Sequence, residues 1–409
     1  MSGEQHVLSN GLTVAVDPLP GAESVAVGLY ASVGSRSEPA ALSGLGHLVE
    51  HMVFKGAGGR DTRALAEVIE DVGGSLNAWT ARDQTVFHGR ALARDLPLVA
   101  ELLADLVRRP HFDEEHLERE KQVILSELGE VTDSPDDFVH DHLFEAAFEG
   151  QAIGRPVLGR EETVRAATRQ DCFEWLGRQF TPGRLVLAAS GKVDPEQVVT
   201  LAERLFGDMA GAPEQPVEAA RFTGGLRNDR RSFEQAHWCL AFPGYAAADP
   251  RNPALGLFVQ ALGGGTSSRL FQELREERGL AYSIYAWNQA FADCGLVGIG
   301  CAAERSQAAE SVQLARDLLA AAADDLTQAE LDRARAQVEA ALVMSLETAQ
   351  GRADHMARSI EVFGRIVPAD ELVGQIRDVT IADARAAGQA LLAAPTAVAS
   401  VGAQLALAA

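Results

Sequence analysis

The chain has 409 residues, of which 47% are hydrophobic and 23% charged, and a formal net charge of −22. That length exceeds one compact core and suits two domains of roughly 200 residues each. No apolar run approaches the roughly 18 residues that cross a bilayer, so no membrane association is expected, and so acidic a chain would be repelled by nucleic-acid phosphates. Met1–His6 lacks a basic or apolar leader, which points to a cytoplasmic address. The four cysteines, Cys172, Cys239, Cys294 and Cys301, show no C-x-x-C spacing and read as buried thiols.

In chain order, His6–Leu8 and Thr13–Asp17 flank Asn10-Gly11, a hairpin signal, and Ser24–Val33 is a further strand. Ser43–Lys55 reads as a helix with Ser43 as N-cap and Gly56 past its end. Thr62–Val72 follows, capped by Asp61 or Thr62 and stopped by Gly73-Gly74. Ser75–Leu92 is strand-like, and Leu96–Arg108 and Asp113–Glu130 are helical, the latter with an acidic first turn suited to its dipole. Leu185–Ser190 is a buried strand and Pro195–Phe206 a helix. Residues 211–231, with prolines, Gly224-Gly225 and mixed charges, read as a linker between domains 1–210 and 232–409.

After the linker the order resumes: strand Trp238–Phe242, helix Ala254–Ala261 ending at Gly263-Gly264-Gly265, helix Ser268–Glu277, and strands Ala281–Trp287 and Leu296–Ala302. Ala-rich helices and a strand at Ala397–Val401 complete the chain. Placing Gly56 opposite Gly265 brings the preceding helices and strands into register, so the second half reads as a diverged copy of the first. Where the first copy has His47 and His51, the second has Gly256 and Gln260. The expected fold is α+β: two homologous domains, each a mainly antiparallel sheet covered by helices.

His47, Glu50 and His51 fall at i, i+3 and i+4 of a helix and so share one face. Two neutral imidazoles one turn apart suit zinc, and a nearby carboxylate can manage the attacking water; His-x-x-Glu-His is the inverted zinc-peptidase order. A solvated polar face is the competing reading. It fits poorly beside Leu45, Leu48, Val49, Met52, Val53 and Phe54, because burying unpartnered imidazoles is costly. A third ligand is expected from the helix 113–130, which offers Glu118, Glu120, Glu127 and Glu130. Glu120 and Glu127 lie about two turns apart and point the same way, so one could ligate and the other orient a ligand; spacing does not choose between them.

Several blocks then carry a resemblance. Gly44–Gly56 (GLGHLVEHMVFKG), Gly73–Thr80 (GGSLNAWT), Glu118–Leu128 (EREKQVILSEL), Gly154–Gly159 (GRPVLG) and Leu274-Arg275 through Leu280-Ala281-Tyr282 occur in one order over most of the chain. The chain resembles the pitrilysin/insulinase family of metallopeptidases, in particular its short two-domain bacterial members and the catalytic subunit of mitochondrial processing peptidase. The resemblance implies that each chain forms half of a clamshell. It implies one zinc per chain held by His47, His51 and Glu127, with Glu50 as general base and Glu120 behind the ligands. It further implies a substrate-pairing edge strand at Leu76, Asn77, Ala78 and Trp79, and an Arg275–Tyr282 pair assisting the transition state. Asp83 stands where the family more often has glutamate.

The function so implied is zinc-dependent endopeptidase cleavage of short or unfolded peptides, in which zinc-bound water attacks the scissile carbonyl. One chain carries both the zinc motif and the Arg–Tyr pair, which suggests a homodimer whose copies complete each other. The alternative is a catalytically silent structural or peptide-binding subunit, whose mark would be a broken His/Glu constellation.

Overall fold

The computed structural model describes residues 3–211 and 217–406. Its elements in chain order begin with β1 (Glu4–Val7), β2 (Thr13–Pro18), β3 (Ser24–Ala31), α1 (Leu45–Val53), a two-residue ladder β4 (Gly56–Ala57) and β5 (Arg60–Asp61), and α2 (Thr62–Glu70). They continue with β6 (Ser75–Thr80), β7 (Thr85–Leu92), α3 (Leu96–Arg108), α4 (Glu114–Asp133), α5 (Pro135–Ala147), α6 (Glu161–Ala166), α7 (Arg169–Gln179), β8 (Leu185–Gly191) and α8 (Pro195–Phe206). The rest is β9 (Gly225–Asp229), β10 (Gln235–Gly244), α9 (Asn252–Gly263), β11 (Ala281–Ala290), β12 (Gly295–Glu304), α10 (Ala308–Asp325), α11 (Gln328–Ser345), α12 (Ala349–Phe363), α13 (Ala369–Asp378), α14 (Ile381–Leu392) and β13 (Ala397–Val401).

Local chemistry explains many boundaries. β1 and β2 pair antiparallel across Asn10-Gly11, with Gly11 at φ +96°. Asp61 accepts the Ala64 N–H at 2.8 Å to start α2, and Asp194 accepts from Gln197 at 2.9 Å to start α8, with Pro195 in its first turn. The strand-like run 75–92 is a hairpin, broken where the Ala81 N–H donates to Gln84 O.

Apart from the β4–β5 ladder, the strands form two sheets. The first runs β1-β2-β8-β3-β7-β6 and the second β11-β12-β10-β13-β9. Apart from the extra β1 the orders correspond: β2–β8 and β9–β13 are the parallel pairs, and the remaining neighbours are antiparallel. The internal repeat is thus present as strand order and sense, and the fold is α+β.

Alternation along the strands serves two buried faces. In the second sheet Trp238, Leu240 and Phe242 face one cluster, while Cys239 and Ala241 face another built with Val139, Leu143, Phe144 and Phe148 of the α5 region. In the first, Val14, Val27 and Leu29 face the cluster that includes α1 and α3, while Ala15, Tyr30, Val186 and Ala188 meet Ala353, Met356, Ala357 and Ile360 of α12. The compact units are therefore discontinuous, a correction to the contiguous domains 1–210 and 232–409. Residues 129–155 belong with the second sheet and 343–369 with the first. A sheet buried on both faces needs a second helical layer, and each unit takes a helix from the other half of the chain.

The expected linker 211–231 also differs. Its residues 212–216 lie outside the described residues, and its end is β9, which pairs parallel with β13. Gly224 and Gly225, at φ +70° and +152°, turn the chain into this edge strand. Its exposed Leu226 and Arg227 hid it from a hydrophobic pattern.

Candidate metal centre

α1 packs Leu45, Leu48, Val49, Met52 and Val53 into the core and leaves His47, Glu50 and His51 half-buried on its other face. Its N-cap is Gly44, at φ 92°, rather than Ser43. α4 buries Leu117, Glu120, Lys121 and Ile124, which brings Glu120 and Glu127 to α1.

Donor atoms of His47, His51 and Glu127 all lie within 4.8 Å of one another. Among the described residues this is the group that could hold a metal ion. His47 Nε2 is 3.8 Å from Glu127 Oε2 and His51 Nε2 is 3.7 Å from Glu127 Oε1. These separations are too long for hydrogen bonds and near the roughly 3.4 Å edge that four ligands at ~2.0–2.1 Å from zinc would define. Glu120, with a side chain only 9% exposed, reaches His51 Nδ1 at 3.1 Å with Oε2 and Lys55 Nζ at 2.9 Å with Oε1. A carboxylate on the far ring nitrogen fixes which nitrogen of His51 is free to ligate. Of the two carboxylates, Glu127 lies in the group that could hold an ion and Glu120 lies at Nδ1 of His51.

Electrostatics agree with a metal site. Burial, and then the neighbouring His51, lower the His47 pKa to about 4, which keeps the imidazole neutral with a lone pair to give. Burial pushes the Glu50 carboxyl above its ordinary range, against the opposing pull of Thr80 and His51. Glu50 Oε2 is buried with no hydrogen-bond partner, an arrangement that is costly unless something polar binds beside it. Two imidazoles and a carboxylate are a donor set that fits zinc.

The other predicted residues fall in two places. Leu76, Asn77, Ala78 and Trp79 lie on β6, an edge strand whose Asn77 and Trp79 are exposed and whose Leu76 and Ala78 pack on the core. The Ala78 N–H donates to the Asn77 side chain at 2.8 Å. In the other unit, the expected helix 268–277 is π-helical over Phe271–Glu277, as the Arg278 N–H to Glu273 O bond shows. Arg275 lies over the Phe271 ring at 4.9 Å and the Tyr282 ring at 5.9 Å. Tyr282 is 72% exposed at the start of β11. The structure thus brings Arg275 and Tyr282 together. Sequence reasoning missed Lys55, although its place four residues after His51 on the same face was a signal.

Fold and donor set together define a scaffold with an inverted His-x-x-Glu-His motif on α1 and a glutamate donor facing it from α4. Residues 13–161 match the family described as Insulinase (Peptidase family M16), and residues 166–338 match the Peptidase M16 inactive domain. The chain is 37% identical to an uncharacterized zinc protease of Streptomyces coelicolor, over 94% of this chain and 86% of that protein. It is 34% identical to an uncharacterized zinc protease of Mycobacterium tuberculosis, over 96% and 91%, and 30% identical to the uncharacterized zinc protease YmxG of Bacillus subtilis, over 92% and 93%. In fold it resembles a protease from Helicobacter pylori, with a TM-score of 0.89 at 21% identity over 98% and 99% of the two chains. It also resembles an M16 inactive-domain protein from Pseudomonas fluorescens, with a TM-score of 0.91 at 20% identity over the whole of both. The chain belongs to the M16, or pitrilysin/insulinase, family of metallopeptidases.

Proposed function

We propose that the protein is a zinc-dependent endopeptidase that hydrolyses short or unfolded peptides, acting as a homodimer in which each copy's Arg275 and Tyr282 serve the other's zinc site. The reading includes a cytoplasmic address. The observation that carries it is the convergence of His47, His51 and Glu127 within 4.8 Å. One zinc per chain would be held there, where it supplies Lewis acidity and lowers the pKa of water from ~15.7 to near 7.

The chain's own groups divide the remaining work. Glu50, with an unpartnered oxygen and a raised pKa, takes a proton and returns it to the leaving amine. Glu120 holds His51 in its ligating orientation. The free side of β6 gives an extended peptide main-chain partners, with Leu76, Asn77, Ala78 and Trp79 flanking it. Arg275 and Tyr282 donate to the developing oxyanion, an effect of roughly 3 kcal/mol per donor. Their exposure suits a role towards a second chain. A silent subunit would be expected to have lost one of these groups, and none is lost here.

The test is cleavage of unfolded protein fragments with and without a chelator. Cleavage that stops on chelation and returns with zinc supports the reading. A zinc-loaded chain that cleaves nothing contradicts it.

A further inference from the structure

The helix that carries the metal motif begins without a side-chain cap of its own. Its N-cap, Gly44, has no side chain and a left-handed backbone (φ 92°, ψ 0°). The position tolerates little else, because a Cβ there would lie 2.6 Å from Leu158 O. Two buried main-chain donors at its start are taken instead by Glu38. Its Oε2 accepts the Gly44 N–H at 2.7 Å and its Oε1 accepts the Gly46 N–H at 2.7 Å. Glu38 is 4% exposed, so its charge is buried against the positive end of the helix, where both oxygens are bonded.

The segment that carries Glu38 is tied at its other end to the turn that follows the edge strand. The Ser35 and Arg36 N–H groups donate to Ala81 O and Arg82 O, each at 3.0 Å. Arg36 Nη1 pairs with Asp83 Oδ1 at 3.1 Å with both side chains largely buried. One short strap therefore grips the β6–β7 turn with its backbone and Arg36, and the first turn of α1 with Glu38. Gly46, one of the two groups that Glu38 holds, immediately precedes His47, and a Cβ on Gly46 would lie 3.7 Å from Thr80 Cγ2 of β6.

We propose that Glu38 is a positioning residue for the peptidase chemistry: its carboxylate sets where His47 and Glu50 stand relative to the edge strand β6. This rests on the peptidase reading above. With glycine required at residue 44, the cap must come from elsewhere in the chain, and Glu38 supplies it from a segment that is also tied to the β6–β7 turn.

The test compares Glu38→Gln with Thr380→Ala in the full chain. The amide offers one acceptor where two are needed. Thr380→Ala removes the Thr380 hydroxyl that accepts the Asp383 N–H of α14, a cap remote in sequence from the motif. Both should lower the melting temperature. Glu38→Gln alone should raise the zinc dissociation constant about tenfold in a chelator competition and lower kcat about tenfold with KM nearly unchanged. Wild-type zinc affinity and kcat in Glu38→Gln, or equal losses in Thr380→Ala, would overturn the proposal. Should Glu38→Gln fail to fold, Asp83→Asn loosens the same strap and must show the fall in kcat; an unaffected Asp83→Asn overturns the proposal as well. A wild-type chain that neither holds zinc nor cleaves peptides sinks the peptidase reading and this inference together, whereas an active wild type beside an unaffected Glu38→Gln sinks this inference alone.

Discussion

Lys55 Nζ meets Glu120 Oε1 at 2.9 Å, and the other oxygen of that carboxylate meets His51 Nδ1 at 3.1 Å. The ammonium thus anchors the carboxylate that holds the His51 ring. Replacing Lys55 by Met should leave a folded chain whose zinc dissociation constant, read by chelator competition, rises between about 3- and 10-fold, less than the loss of an oriented ligand's direct partner. An unchanged constant would mean that Glu120 holds His51 without help.

Glu50 shares the motif face but is not a ligand in this account. Glu50→Gln should keep its zinc, measured by metal analysis, while peptide turnover falls by roughly 10²- to 10⁴-fold, the range for general acid–base catalysis. Loss of metal from that variant would make Glu50 a ligand and Glu127 a bystander.

The homodimer is tested by complementation. Glu50→Gln chains and Arg275→Ala chains should each be nearly inactive alone. Mixed after unfolding and refolding together, they should regain activity, because one site of a mixed dimer then has an intact Glu50 and an intact Arg275 from the neighbour. No recovery would place Arg275 in the service of its own chain.

In the second unit, Arg269 holds Glu330 through Nε at 2.5 Å and Nη2 at 2.8 Å. These bonds to Arg269, with Thr327 assisting, depress the Glu330 pKa from 4.5 to about 2. The folded carboxylate therefore stays charged where the unfolded one is already protonated. Its stabilisation is complete above the unfolded value and is lost as pH falls towards about 2. Glu330→Gln should cost about 1 kcal/mol at neutral pH, by urea unfolding, and the gap to wild type should narrow on acidification below the unfolded value. A gap that widens would reverse the sign.

Much of this architecture was legible in the sequence because it is written in short-range chemistry. Asn10-Gly11 gave the first hairpin, Asp61 the start of α2, and the i, i+3, i+4 spacing of His47, Glu50 and His51 their common face. What escaped depends on distant partners. Ala353, Met356, Ala357 and Ile360 mark an apolar stripe on α12, but nothing in the stripe says that it covers Tyr30 and Val186 of the first sheet. The salt bridge of Arg352 to the fully buried Asp17 and the bond from Tyr30 to Asp354 fix that exchange, and their members lie more than three hundred residues apart. Ser43 was a reasonable cap by residue type. It yields to Glu38 because the chain entering α1 is pinned against Leu158 and Gly159, which demands glycine at 44. Spacing placed Glu120 and Glu127 on one face, and only the position of His51 between them shows which carboxylate meets Nδ1 and which faces Nε2.

The most direct test is zinc stoichiometry by metal analysis and competition titration on the wild-type chain, His47→Ala and Glu127→Ala. The account predicts one zinc per wild-type chain and, in either variant, affinity weakened by more than the ~10- to 100-fold expected for an outer partner. A wild-type chain that takes up no zinc, or variants that hold it as tightly as wild type, would contradict it.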